Sequence, residues 1–227
     1  MDEATLSAYD NASARFAQEW HEQPAPDDMY ALLRQYFTPG ATVDVACGSG
    51  RDVAWLRVNG YDASGYDASE GLVREARLAC PEACFGVASL PDLEGVPRAA
   101  YANVLCETVI MHLDPSEIPR AVRNLVALLS PGGTMWLSWR VTPDESRRDD
   151  TGRLYAAFDS GIVLDALGPD TTVLVDREEH SGSSSKVVRR LIVRSCAVGS
   201  WGGRRPSPGG YVAGTGATDE GTAAGGR

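Results

Sequence analysis

Thr42-Val43-Asp44-Val45-Ala46-Cys47-Gly48-Ser49-Gly50-Arg51-Asp52 is the stretch around which the chain is organised. Val43 and Val45 are apolar and β-branched, the composition of a short buried strand. Gly48-Ser49-Gly50 follows at once. Two residues without a Cβ permit a tight turn that brings backbone N–H groups close to a ligand. Arg51 to Val58 reads as the helix after the turn, ended by Asn59-Gly60. Strand, Gly-x-Gly and helix together make a nucleotide-type cradle.

Two acids sharpen that reading. Asp44 lies inside an otherwise apolar strand, where a carboxylate is costly unless it is paired or hydrogen-bonded. Asp67 comes 19 residues after Gly48, at the end of a second strand, Ala63-Ser64-Gly65-Tyr66-Asp67. In an α/β nucleotide site an acid at that distance accepts hydrogen bonds from ribose hydroxyls. The dinucleotide fingerprint requires a third glycine where this chain has Val53, which turns the reading away from NAD.

Asp44-Val45-Ala46-Cys47-Gly48-Ser49-Gly50 resembles the first motif of class I S-adenosylmethionine (SAM) methyltransferases, and Gly65-Tyr66-Asp67-Ala68-Ser69 resembles their second. Cys47-Gly48-Ser49-Gly50-Arg51-Asp52, followed by Asn59-Gly60-Tyr61-Asp62, is similar to small bacterial methyltransferases of the tellurite-resistance and ubiquinone-biosynthesis types. The likeness extends over residues 5 to 195. It implies a three-layer, Rossmann-like α/β fold whose seven-stranded sheet ends in an antiparallel hairpin. It also implies SAM as cofactor and methyl transfer as the activity, and is nearly silent on the acceptor.

The totals agree with one globular domain: 227 residues, 43% apolar and 23% charged. No apolar run is long enough to span a membrane, and Met1-Asp2-Glu3 lacks the features of a signal peptide, so a cytoplasmic location is expected. Five cysteines show no framework spacing, and Cys80 and Cys84 have no completing pair, so reduced thiols and no metal site are expected. The net charge of −10 argues against nucleic acid as a partner. Monomer and homodimer both remain open.

Residues 3 to 22 read as one amphipathic helix, with Leu6, Tyr9, Phe16 and Trp20 near one face. That face docks on the sheet or, as the resemblance implies, caps the cofactor, with Tyr9 and Trp20 lining the substrate pocket. Asp27 to Phe37 is a second helix, stopped by Pro39-Gly40. The domain is expected over residues 1–196, with 1–38 as a helical cap. Ser69 suits the N-cap of the helix after Asp67, and Ala83 to Val87 reads as the third strand. The resemblance places the adenine at Ala88-Ser89-Leu90-Pro91-Asp92, with Ser89 and Leu90 as contacts and Asp92 as a rival to Ser89.

Tyr101 to Cys106 reads as the fourth strand. The loop after it, Glu107 to Leu113, lies where ligands bind in open α/β sheets. The resemblance implies that Cys106 and Glu107 line the methionine end through their backbone, and that Ala46, Cys47 and Ala68 of the two motifs contact the cofactor. His112 either packs against the following helix, shapes the pocket or serves as general base. Asp114-Pro115-Ser116-Glu117 has the form of a capping box with proline at the first helical position, leading into the apolar face of Ile118, Val122, Leu125 and Leu129. Ser130-Pro131-Gly132-Gly133 reads as a turn before a fifth strand, Thr134 to Trp139.

Arg140 follows that strand. A charged loop comes next, either a solvated face or a specificity element, and Arg153-Leu154-Tyr155 is expected to open a helical stretch toward Leu167. Arg140 and Arg153, with Tyr155 nearby, suit a carboxylate or phosphate on a small-molecule methyl acceptor, or else pair with Asp149 and Asp150. Thr171 to Val175 and Val187 to Val193 read as the closing hairpin around Ser181-Gly182-Ser183-Ser184-Ser185. Residues 197 to 227 hold ten of the 24 glycines, and disorder is expected there. Two alternatives remain: a SAM-binding module without turnover, and an NAD(P)-dependent oxidoreductase, opposed by Val53 and by the closing hairpin.

Overall fold

The central strand β1 (Ala41–Val45) is followed by a left-handed Gly50 and helix α4 (Arg51–Val58) in a computed structural model that describes residues 1–196. Three helices precede it: α1 (Glu3–Asn11), α2 (Ser13–Glu22) and α3 (Asp27–Tyr36). After α4 come β2 (Asp62–Asp67), α5 (Glu70–Ala79), β3 (Cys84–Val87) and β4 (Tyr101–Cys106). Then follow α6 (Ile118–Val126), β5 (Leu129–Arg140), the short strands β6 (Arg147–Arg148) and β7 (Leu154–Tyr155), α7 (Gly161–Ala166), β8 (Thr171–His180) and β9 (Val187–Ser195).

Seven strands form one sheet in the order β3-β2-β1-β4-β5-β9-β8. All the pairings from β3 across to β5 are parallel, whereas β9 runs antiparallel to both β5 and β8. The expected sheet with its closing hairpin is therefore present. Side chains alternate between its faces. Val43, Val45, Val104 and Met135 pack toward α6 and α7, whereas Leu105, Trp136 and Ile192 pack toward α3, α4 and α5. Burial of both faces explains the near-continuous apolar runs of β1 and β4.

Local reading erred where tertiary partners intervene. The expected single helix over 3–22 is broken at Ala12, between the weak helix formers Asn11 and Ser13. The break frees Asp10, whose Oδ1 accepts from Ser69 Oγ (2.6 Å) and Gly71 N–H (3.0 Å) at the start of α5. The helical stretch expected from Arg153 toward Leu167 is helical only over α7 and opens instead as a hairpin, β6 with β7. Its turn is made by Asp149, whose carboxylate accepts from the N–H groups of Thr151 and Arg153, and by Gly152 at φ +91°. The turn expected at 130–133 is a bulge within β5, where the register against β4 shifts between Tyr101 and Asn103. At Asp114 the carboxylate accepts from Ser116 N–H (2.9 Å) and opens one 3-10 turn, Pro115–Glu117, before α6. The disorder expected for 197–227 lies outside the described residues.

A buried arginine locks the closing hairpin to the rest. Arg190, on β9, is 1% exposed, stacks on Trp136 (5.4 Å to the ring centre) and is paired to Asp28 of α3 and Glu179 of β8. Asp28 also accepts from Gly182 N–H (3.0 Å) in the β8–β9 loop. Removing one partner of a buried ion pair strands the others, so Arg190→Ala is expected to cost about 3 kcal/mol of stability, read by denaturant unfolding.

Candidate active site

The carboxyl ends of β1, β2, β4 and β5 open into one cavity, roofed by α1 and α2. Asp44, Ala46, Cys47, Gly48, Ser49, Asp67, Ala68, Glu107 and His112 line it, and so do Tyr9, Trp20, Arg140, Arg153 and Tyr155. The fold brings these expected residues together from across the chain. Gly50, Ser89, Leu90 and Cys106 do not line it. At Gly50 the φ is +82° and an added Cβ would come within 3.0 Å of the Phe85 ring, so this glycine serves helix packing. Ser89 donates to the Leu90 carbonyl, and that carbonyl also accepts from the Met1 ammonium (2.6 Å). Asp92 is half-exposed and paired with Arg120. Cys106 is fully buried.

The turn is bound to β2 by its own N–H groups. Ala46 and Cys47 donate to the Tyr66 carbonyl (2.7 and 3.1 Å), Gly48 donates to Asp67 Oδ2 (2.9 Å), and Gly50 donates to the Cys47 carbonyl. These donors are satisfied within the protein, which removes the nest of free N–H groups that a pyrophosphate requires. The expectation that the turn offers its N–H groups to a ligand is corrected at these four positions. Gly48 has φ +55°, and an added Cβ would meet the Trp20 ring at 2.7 Å. The indole therefore rests directly on the glycine.

Four carboxylates, those of Asp44, Asp52, Asp67 and Glu107, gather at this end. Burial holds the Asp44 carboxyl well above its usual range, and the charges of Asp52 and Asp67 add to the effect. Burial pushes Asp67 up to about 6, against the N–H groups of Ser69 and Gly48, which favour the ion. Glu107 is also raised by burial, while Ser138 Oγ and Trp136 Nε1 donate to its Oε2. Asp52 accepts from Tyr30 O–H (2.7 Å) and pairs with Arg51.

The other end carries His112, Tyr9, Arg153, Tyr155 and Arg140. His112 Nδ1 faces the Leu154 carbonyl, an acceptor, so Nδ1 bears the hydrogen. Its Nε2 then accepts from Tyr9 O–H at 3.1 Å. Arg153 donates to the Tyr9 oxygen (3.4 Å) and is paired with Asp149 (2.7 Å). Burial pushes the His112 imidazole down to about 4, with Arg153 and Arg140 adding to it against the Leu154 hydrogen bond. His112 is 2% exposed, and its acceptor nitrogen, Nε2, is taken by the Tyr9 hydroxyl. Sequence reasoning missed Arg51, Asp52, Ser69, Thr108 and the loop serines Ser181, Ser183 and Ser184, all of which line the cavity. Arg51 and Asp52 were adjacent to the motif, whereas nothing local in the loop signals its approach.

Residues 42–133 match the family described as "Methyltransferase domain". This stretch is a class I SAM-dependent methyltransferase domain. The ubiquinone biosynthesis O-methyltransferase of Xanthomonas campestris is 34% identical over 106 residues, 44% of this chain and 43% of that protein. The trans-aconitate 2-methyltransferase of Methylobacterium nodulans is 30% identical over 125 residues, 53% of this chain and 45% of that protein. The chain thus spans less than half the length of these curated relatives. Among solved structures, the 1,6-didemethyltoxoflavin-N1-methyltransferase of Burkholderia thailandensis, with bound 1,6-didemethyltoxoflavin and S-adenosylhomocysteine (SAH), superposes with a TM-score of 0.68. It is 18% identical, over 85% of this chain and 88% of that one.

The cavity fits SAM chemically. Buried carboxylates suit a sulfonium and an ammonium, and each Asp67 oxygen keeps a lone pair for a ribose hydroxyl. Ser49 Oγ, buried at the turn, has no partner among the described residues. Unfolded histidine titrates near 6.5. The stability contributed by neutral, folded His112 is therefore present above that pH and is lost as pH falls toward 4. Its loss is on the order of 3 kcal/mol. NMR titration is expected to show His112 neutral down to pH 5, and His112→Gln to flatten this part of the stability–pH curve.

Proposed function

We propose that this chain transfers a methyl group from SAM to a small-molecule nucleophile. The observation that carries the reading is the turn end of the cavity, where Asp67 accepts from both Gly48 and Ser69 among four converging carboxylates. SAM supplies a methyl group already made electrophilic by its sulfonium. The chain's own work is to hold the partners and exclude water. Asp67 would accept the ribose hydroxyls, Asp44 would meet the ammonium end, and Glu107, fixed by Trp136 and Ser138, would present its backbone to the methionine portion. Gly48 lets the Trp20 indole close directly onto the turn.

In this reading residues 1–38 form the cap of a domain that runs to 196. Tyr9, Phe16 and Trp20 pack on one another, with ring centres 5.0 to 6.1 Å apart, and give the cavity an apolar roof. Methyl transfer disperses the sulfonium charge, and a dry roof favours that change. Tyr9, its O–H given to His112 and its oxygen accepting from Arg153, would accept a hydrogen bond from the acceptor and so orient it. Among the described residues no helix is long and apolar enough to cross a membrane.

Calorimetry with SAM and SAH tests the reading, and micromolar binding of both is expected. Asp67→Ala is expected to weaken SAH binding by about tenfold or more, the loss of a charged hydrogen-bond partner. With wild type, SAH affinity is expected to fall as pH drops below about 6, where Asp67 takes up a proton, and Asp67→Asn to abolish that dependence. Binding with no pH dependence and no effect of Asp67→Ala removes Asp67 from the cofactor site.

A further inference from the structure

We propose that the methyl acceptor carries an anionic group, a carboxylate or a phosphate, and that Arg140 seats it. The inference rests on the methyltransferase reading and names the substrate class for the same cavity.

Three arginines line the cavity: Arg51, Arg140 and Arg153. Arg51 is paired with Asp52 at 3.0 Å and Arg153 with Asp149 at 2.7 Å. Arg140 has no carboxylate within ion-pair distance among the described residues. The chain as a whole is acidic, with 31 acids against 21 bases, so an unmatched cation inside a cleft is not for want of acids. A half-buried guanidinium without a counter-ion carries a desolvation cost, which a ligand anion would offset.

Geometry makes Arg140 ready for that anion. It ends β5, so backbone pairing with β9 fixes its position up to Val188. Its guanidinium lies over the Tyr155 ring, 5.6 Å from the centre. Stacking on one face restricts the group while leaving its edge N–H donors available for bidentate contact with an oxyanion. Tyr155 is itself buried and held by the β6–β7 hairpin.

Charge also orients such a ligand. Asp44, Asp52 and Asp67 stand at the turn end and repel an anion, whereas Glu107, just after β4, is held against β5 by Ser138 and Trp136. β5 is separated from β1 by β4, which puts Arg140 two strand spacings away, about 10 Å. An anionic acceptor would therefore lie with its charge toward β5. Its nucleophile would point back toward Tyr9 and the turn. The methionine carboxylate of SAM is the rival anion, and Arg51, in the first turn of α4 beside the glycine turn, is the arginine that would compete with Arg140 for it.

The test uses the full chain and radiolabelled SAM. Small molecules extracted from the organism that carries this chain are separated on a strong anion exchanger, and each fraction is assayed for methyl acceptance. Acceptance is expected in the retained fraction. There Arg140→Gln is expected to lower it at least tenfold, with SAH affinity within about twofold of wild type. Loss of acceptance after phosphatase treatment of the fraction assigns a phosphate, and loss after carbodiimide amidation assigns a carboxylate. Acceptance confined to the unretained fraction overturns the proposal, as does survival through both treatments. It is also overturned if Arg140→Gln weakens SAH tenfold yet leaves 5′-methylthioadenosine, which lacks the amino acid, unaffected, since Arg140 then serves the cofactor. Failure of the wild type to bind SAH removes the methyltransferase reading itself, whereas these outcomes with SAH bound remove only the anionic acceptor.

Discussion

The buried carboxylate of Asp67 is the contact on which the rest of the site depends. One oxygen accepts from Gly48 N–H and the other from Ser69 N–H, so a single side chain joins the turns after β1 and β2. Two backbone donors compensate in part for taking a carboxylate out of water. Asp10 reaches the same place from α1 and completes the cap of α5. The roof of the cavity and its floor are therefore registered through adjoining polar contacts rather than through apolar packing alone.

A second polar seam fixes the far side of the roof. Thr5 Oγ1 accepts from Leu154 N–H (2.9 Å), while the Leu154 carbonyl accepts from His112. Asp2 receives two hydrogen bonds from Arg148 in the same hairpin (2.8 and 2.9 Å). Helix α1 is thus held at both ends, by α5 and by β6–β7. This places Tyr9 between them, where its hydroxyl meets His112 and Arg153. The polarity of the cavity follows from topology. β1, β2 and β4 bring acids to one end, and β5 with the hairpin after it brings arginines to the other.

Much of this was legible from local pattern. The turn at Gly48 and Gly50, the acids at 44 and 67 and the β-rich final segments each announce themselves within a few residues. They gave the sheet and its closing hairpin, and the resemblance they carry implied the cofactor class. Two of the readings that failed turn on partners distant in sequence: Ser69 and Gly71 for Asp10 beside Ala12, and Tyr101 and Asn103 for the 130–133 bulge. The hairpin turn at 149–152 is made locally by Asp149 and Gly152, and only its docking on Thr5 is distant. Ser89 and Leu90 lay close to the motif order yet turn toward each other and the N-terminus.

Residue type and spacing were enough to specify a strand–turn–helix cradle with an acid on the neighbouring strand, because those contacts lie within one βαβ unit. Only the folded chain decided that His112 is neutral and bonded to Tyr9, that Arg153 is paired, and that Arg140 has no carboxylate partner among the described residues. Tyr9 reaches His112 and Arg153 from 103 and 144 residues away, whereas Arg153 pairs with Asp149 four residues off, and electrostatics inside a cleft is fixed by distance and burial. The same residues, differently packed, would offer a different chemistry to the acceptor.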